Sequence, residues 1–76
     1  MTEEIRVPAL GVGMSEGTLV AWLKADGERV VAGDLIYTLE GQKSVMEVEA
    51  TASGTLRRIG EVGAVYPVGE LIGVIE

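Results

Sequence analysis

The chain predicts an all-β fold, a flattened barrel or sandwich of two four-stranded sheets related by a quasi-two-fold axis, and three observations carry that expectation. Eleven glycines are spread along 76 residues; each costs a helix interior roughly 1 kcal/mol against alanine, so no long helix fits between them. The apolar residues fall instead in short runs rich in Val, Leu, Ile and Thr, bounded by glycine- and aspartate-containing turns, which is the pattern of short strands. The sequence also repeats itself. Gly17-Thr18-Leu19 recurs as Gly54-Thr55-Leu56 at an offset of 37, while Gly33-Asp34-Leu35-Ile36 recurs as Gly69-Glu70-Leu71-Ile72, Leu39-Glu40 as Ile75-Glu76, and Gly27 as Gly63 at an offset of 36. One deletion accounts for the change of offset. Two such units are expected to pack as a pair, each covering the apolar face that the other cannot hide alone.

In chain order, Ile5 to Pro8 opens the first strand, and residues 9–14 form a glycine-punctuated loop leading into Gly17–Leu23, the longest apolar run. Ala25-Asp26-Gly27-Glu28 reads as a turn, Arg29-Val30-Val31 as a short strand, Ala32-Gly33-Asp34 as a second turn, and Leu35–Leu39 as a strand that ends near Glu40. Beyond the polar break Gly41-Gln42-Lys43-Ser44, strands are expected near 45–50, 54–59, 64–66 and 71–75. Met46, Val48 and Ala50 alternate with Glu47 and Glu49, so the two carboxylates belong to the wet face of a half-buried strand and not to a catalytic pair. Trp22 reads as core or as a partly exposed cover, Arg57-Arg58 as surface charge, and Lys24 as lying within or at the end of the second strand.

Composition narrows the function. The length suits one domain, 1–76, with a thin core built mainly from Val, Leu and Ile, since there is one Trp and no Phe. With no Cys and no His, disulfides and the usual transition-metal sites are excluded and no credible nucleophile–base triad is in view, so a small hydrolase is disfavoured and no metal is expected. A formal charge of −6 opposes binding to nucleic acid or to an anionic membrane. The acidic start Met1-Thr2-Glu3-Glu4 lacks the apolar core of a signal peptide, and no apolar run approaches a spanning length. The expected setting is the cytoplasm or an organelle matrix.

Lys43 is the residue on which function is expected to rest. It lies in a short polar break between two strand-like runs, where a long flexible stem extends into water and Gly41 is expected to permit the tight reversal. Glu40 ends the first unit as Glu76 ends the second, so pseudo-symmetry puts the hairpin where the chain end lies in the other half. The hairpin and the termini should then lie at opposite ends of the domain.

These residues bring the chain close to a known family. Val7-Pro8-Ala9-Leu10-Gly11, then Met14-Ser15-Glu16-Gly17-Thr18-Leu19 and Trp22-Leu23-Lys24, resembles the opening of the lipoyl domains of 2-oxo acid dehydrogenase acyltransferases, within the biotinyl/lipoyl attachment family. Gly33-Asp34-Leu35-Ile36 is similar to the turn and strand that feed its lysine hairpin, Glu40 to the acidic residue three before the lysine, and Gly54 to the glycine eleven after it. Gln42 and Ser44 depart from the usual Asp and Ala, and 50–53 lacks the proline often found there.

The resemblance implies a barrel-sandwich hybrid whose Lys43 carries lipoic acid as an amide, a swinging arm that shuttles acyl groups and reducing equivalents. It implies a lipoate ligase or lipoyl transferase that reads the hairpin of Glu40, Gly41, Gln42 and Ser44. The users of the arm would be a thiamine diphosphate-dependent decarboxylase, an acyltransferase domain and dihydrolipoyl dehydrogenase; the chain itself would be a monomeric, non-catalytic carrier. Leu10 and Met14, in the first loop, are the candidates for partner recognition if exposed, the alternative being that they simply pack against the barrel end. Biotin remains the alternative cofactor, although biotinyl domains place Met on both sides of their lysine, and an unmodified β-barrel interaction module remains a third reading. No Ala/Pro-rich linker or catalytic domain follows Glu76, which points to an excised module or a free-standing carrier.

Overall fold

In a computed structural model that describes residues 2–11, 13–42 and 44–76, the short β-branched runs form eight strands: β1 (Glu3–Arg6), β2 (Glu16–Trp22), β3 (Arg29–Val30), β4 (Leu35–Glu40), β5 (Val45–Glu49), β6 (Gly54–Arg58), β7 (Val65–Pro67) and β8 (Leu71–Ile75). They make two four-stranded antiparallel sheets, ordered β1-β8-β6-β3 and β5-β4-β2-β7. Exchanging the first four strands with the last four turns one order into the other. Neither half is a sheet by itself: each sheet takes two strands from each half, so the two units interlock and do not merely stack.

The repeat extends to individual hydrogen bonds. The amides of Gly27 and Gly63 donate to Leu56 O and Leu19 O at 2.7 Å, and those of Gly33 and Gly69 donate to Ala50 O and Val7 O at 2.9 Å. All four glycines have φ between 85° and 99°, a left-handed conformation that a side chain makes costly, which is why they recur at matched turns. The change of offset also has a physical cause. Between Leu19 and Ala21 the pairing of β2 with β4 slips by one residue, whereas β6 pairs with β8 without a slip. Val20 is thus the extra residue of a β-bulge, and the deletion in the second half is the missing bulge.

The core follows the same symmetry. Leu19 and Leu56, Leu39 and Ile75, Ile36 and Ile72, and Val7 and Ala50 are all buried at matched positions. Tyr37 breaks the pattern, for its counterpart is Gly73, where an added Cβ would lie 3.3 Å from the Trp22 ring and 3.0 Å from Arg57 O. The bulky ring on one side and the vacancy on the other make room for Trp22. That indole is half-buried, tilts 5.6 Å from Tyr37, donates its Nε1 proton to Gly60 O at 3.0 Å, and lies under the Arg58 guanidinium at 5.4 Å. Arg58 is therefore more than surface charge, while Arg57 is an exposed partner of Glu76. Lys24 lies two residues beyond β2, facing Glu28 at 3.8 Å.

Tyr37 is fully buried and its hydroxyl has no hydrogen-bond partner among the described residues. Burial raises its pKa to about 12. The native state then holds the phenolic proton more tightly than the unfolded chain does, so stability is expected to fall as pH rises from about 10 toward 12, by roughly 3 kcal/mol in full. Tyr37→Phe should remove that part of the alkaline limb. At neutral pH it should leave stability unchanged or raise it by up to about 1 kcal/mol, because no paired hydrogen bond is lost. Denaturant titrations of both proteins at pH 7 and pH 11 check this.

β5 corrects one expectation. Glu47 and Glu49 are exposed as the alternation implied, but Met46, on the same face as the buried Leu39, is itself 49% exposed. β5 is an edge strand paired only with β4, so the alternating pattern is matched by burial only toward its far end, at Val48 and Ala50.

Candidate hairpin site

The strands that flank the break are held in register by the pairs Glu40–Val45 and Leu39–Met46. The Gly41 amide donates to Ser44 O at 2.8 Å and closes the turn, leaving Gln42 and Ser44 exposed at its tip and Glu40 exposed just below. Lys43 lies outside the described residues. The other end of the hairpin is the Leu35–Glu49 pair, and Thr51 beyond it lines one concavity with Thr2 and Glu3. Ile75, next to the chain end, pairs with Glu3. Both termini therefore lie at the far end of β4–β5 from the turn, about 16 Å along the strands at ~3.3 Å per residue.

Gly41 suits its place for a different reason from the one the sequence suggested. It is not among the glycines of positive φ; instead, a Cβ there would lie 3.3 Å from Met14 Sδ and 3.8 Å from Leu10 Cδ1. Gly17, beneath, has the same neighbour, with Met14 Cε 2.9 Å from where its Cβ would be. The first loop is folded onto the flank of the turn, its shape fixed by bonds from Leu10 N to Met14 Sδ at 3.1 Å and from Met14 N to Gly11 O at 3.3 Å. Leu10 and Met14 are consequently half-buried against the core, which is the packing alternative and not the fully exposed one.

This loop is where the two halves differ most. β1 and β5 match at an offset of 43, with Glu4, Ile5 and Val7 equivalent to Glu47, Val48 and Ala50. From Val7 to Gly17 is ten residues, whereas from Ala50 to Gly54 is four, so the hairpin end carries six residues that the terminal end lacks. The weak likeness of Glu4-Ile5-Arg6-Val7 to Glu47-Val48-Glu49-Ala50 was the sequence signal that could have shown this. Elsewhere, the strands of the β5-β4-β2-β7 sheet carry Glu16, Glu40, Glu47 and Glu49, none in an ion pair with a described residue. No helix among the described residues is long and apolar enough to cross a membrane.

Comparison with known proteins agrees with this geometry. Residues 3–75 match the biotin/lipoyl family model described as biotin-requiring enzyme. The chain is 48% identical over 59 residues to the pyruvate dehydrogenase E1 component subunit beta of Rhizobium meliloti, covering 78% of this chain and 13% of that protein. It is 38% identical over 77 residues to the dihydrolipoyllysine-residue acetyltransferase component of the pyruvate dehydrogenase complex of Zymomonas mobilis, covering 99% and 18%. Over 73 residues it is 41% identical to the succinyltransferase component of the 2-oxoglutarate dehydrogenase complex of Bacillus subtilis, covering 95% and 18%. The chain thus spans less than a fifth of the length of these relatives. Among solved structures, the lipoyl domain of the 2-oxoglutarate dehydrogenase complex of Azotobacter vinelandii superposes with a TM-score of 0.81 at 33% identity, covering 97% of this chain and 95% of that one.

Proposed function

This chain belongs to the biotinyl/lipoyl attachment family, and from that premise we propose that it is a lipoyl carrier domain, 1–76, whose Lys43 bears lipoic acid in amide linkage. The observation that carries the reading is a single lysine in the turn closed by Gly41 and Ser44, in a chain similar along 97% of its length to a lipoyl domain. The residues present fit the group: Gln42 and Ser44 are exposed on both sides, leaving room for an arm, and neither is the Met that flanks the lysine in biotinyl domains. When attached, lipoate supplies a dithiolane for acyl transfer and redox chemistry.

The chain's own residues present and guide the arm. Paired β4 and β5 hold the turn as a stiff projection, with Leu10 and Met14 buttressing Gly41. The long first loop adds a surface that partner enzymes would meet beside the arm. Those partners would be a lipoate ligase or lipoyl transferase, a thiamine diphosphate-dependent decarboxylase, an acyltransferase domain and dihydrolipoyl dehydrogenase, in a bacterial cytoplasm or a mitochondrial matrix.

Intact mass after co-expression with a lipoate ligase or a biotin ligase tests this directly, because lipoate, biotin and no addition give three masses. One lipoyl addition is expected on the parent chain and none on Lys43→Arg, with Lys24 untouched. An addition that survives Lys43→Arg refutes the assignment, and a chain that takes up biotin in preference to lipoate favours the biotin reading.

A further inference from the structure

The internal two-fold offers a control that most folds lack, since two sheets of the same topology share one set of packing demands and differ only where those demands do not reach. On their outward faces they differ in charge. The strands of the β5-β4-β2-β7 sheet carry four carboxylates and no base, net −4, whereas those of the β1-β8-β6-β3 sheet carry all four arginines and two carboxylates, net +2. Position by position, Arg6 corresponds to Glu49, Arg29 to Val65 and Arg57 to Ala21. On the basic sheet Arg6 pairs with Glu4 and donates to Gly69 O, Arg57 pairs with Glu76 and Arg58 lies over Trp22, whereas the four carboxylates of the other sheet have no ion-pair partner among the described residues, so no contact within the fold accounts for them.

The acidic sheet is also the one that contains the hairpin. Cross-strand pairs put Val45, Glu40, Thr18 and Val65 in one row of a single face, and strand alternation adds Glu16, Glu47 and Glu49 to that face. Val45 and Val65 are more than half exposed. Any enzyme that takes the residue-43 side chain into its active site must approach the end of this sheet. We infer that this outer face, apolar valines framed by carboxylates, is the docking surface for the ligase that modifies Lys43, and that the ligase meets it with a basic surface beside its active-site mouth. The inference rests on the lipoyl-carrier reading. Four strands about 4.8 Å apart and under 20 Å long offer roughly 400 Å², about half of what a stable complex buries on each partner. Such a face supports brief docking that charge accelerates, as suits an enzyme that must release each product.

The test is lipoate ligase kinetics on three folded domains: the parent, Glu16→Gln/Glu47→Gln/Glu49→Gln, and the mirror variant Glu3→Gln/Glu4→Gln/Glu76→Gln, which changes net charge equally on β1 and just beyond the end of β8. At low ionic strength the first triple should lower kcat/KM about tenfold through KM, with kcat unchanged, and the difference should close near 1 M salt, where the Debye length is about 3 Å. The mirror variant should match the parent. Val65→Arg, which copies Arg29 from the equivalent position, should also raise KM. Equal kinetics for the two triples, or a loss that salt does not alter, overturns the docking face while the carrier reading stands. A parent that accepts no lipoate refutes the carrier reading itself.

Discussion

Gly54→Ala is expected to destabilise the fold by about 3 kcal/mol or more, enough to lower Tm by some 12–24 °C in a domain of this size. The added Cβ would fall against the carbonyl oxygen of Glu76 and lie 2.9 Å from Ile75 Cγ2. That carbonyl cannot retreat freely, because it accepts the Thr55 amide proton at 2.9 Å while Glu76 N donates back to Thr55 O at 2.8 Å. Gly17 is the control, being the same residue in the other half. Its Cβ would meet the flexible end of Met14 at 2.9 Å and Leu39 Cδ1 at 3.0 Å, so Gly17→Ala should cost about 1–2 kcal/mol as side chains shift. Thermal unfolding followed by the fluorescence of Trp22 measures both. A Gly17→Ala protein less stable than Gly54→Ala would show that the close approach at the chain end is not what requires glycine.

The repeat made the architecture legible because glycines at positive φ cannot be exchanged, and their spacing survives when side chains diverge. The interlocking of the halves was not legible, since hydrophobic alternation assigns a residue to a face but does not say which strand lies beside it. The bulge at Val20 left a trace only as a one-residue change of offset, and an offset cannot distinguish a deletion in a loop from one within a strand. Lys43 stood out through its position between two strand-like runs. The role of Gly41 was misread, because its constraint is a contact with Met14, 27 residues away in sequence, and close approach leaves no local pattern. The same contact explains why sequence left open whether Leu10 and Met14 are exposed or packed: a loop that folds back on a hairpin looks, in sequence, like a loop in water.

Under the proposed lipoyl-carrier function, moving the lysine by one residue, with Gln42→Lys and Lys43→Gln, is expected to reduce modification on the order of 100-fold or more while the barrel survives, since displacing a reacting group by as little as 1 Å can cost that much. Charge and composition are unchanged by the exchange. What changes is the position of the amine in a turn whose ends are set by the Glu40–Val45 pair and the Gly41–Ser44 hydrogen bond. A ligase must find one lysine among many exposed ones in a cell, and Glu-Gly-Gln-Lys-Ser is too ordinary a sequence to mark it. The shape of the closed turn, braced by Met14, is the remaining signal. Ligase turnover on the native domain, on the exchanged variant and on an isolated peptide spanning residues 35–50 decides the matter, with circular dichroism to establish that the variant is folded. The peptide, lacking the first loop and the partner strand β2, should be modified at least as poorly as the variant. Equal turnover on all three substrates would mean that local sequence suffices, and that neither the two-fold scaffold nor the loop at its hairpin end is needed to present the lysine.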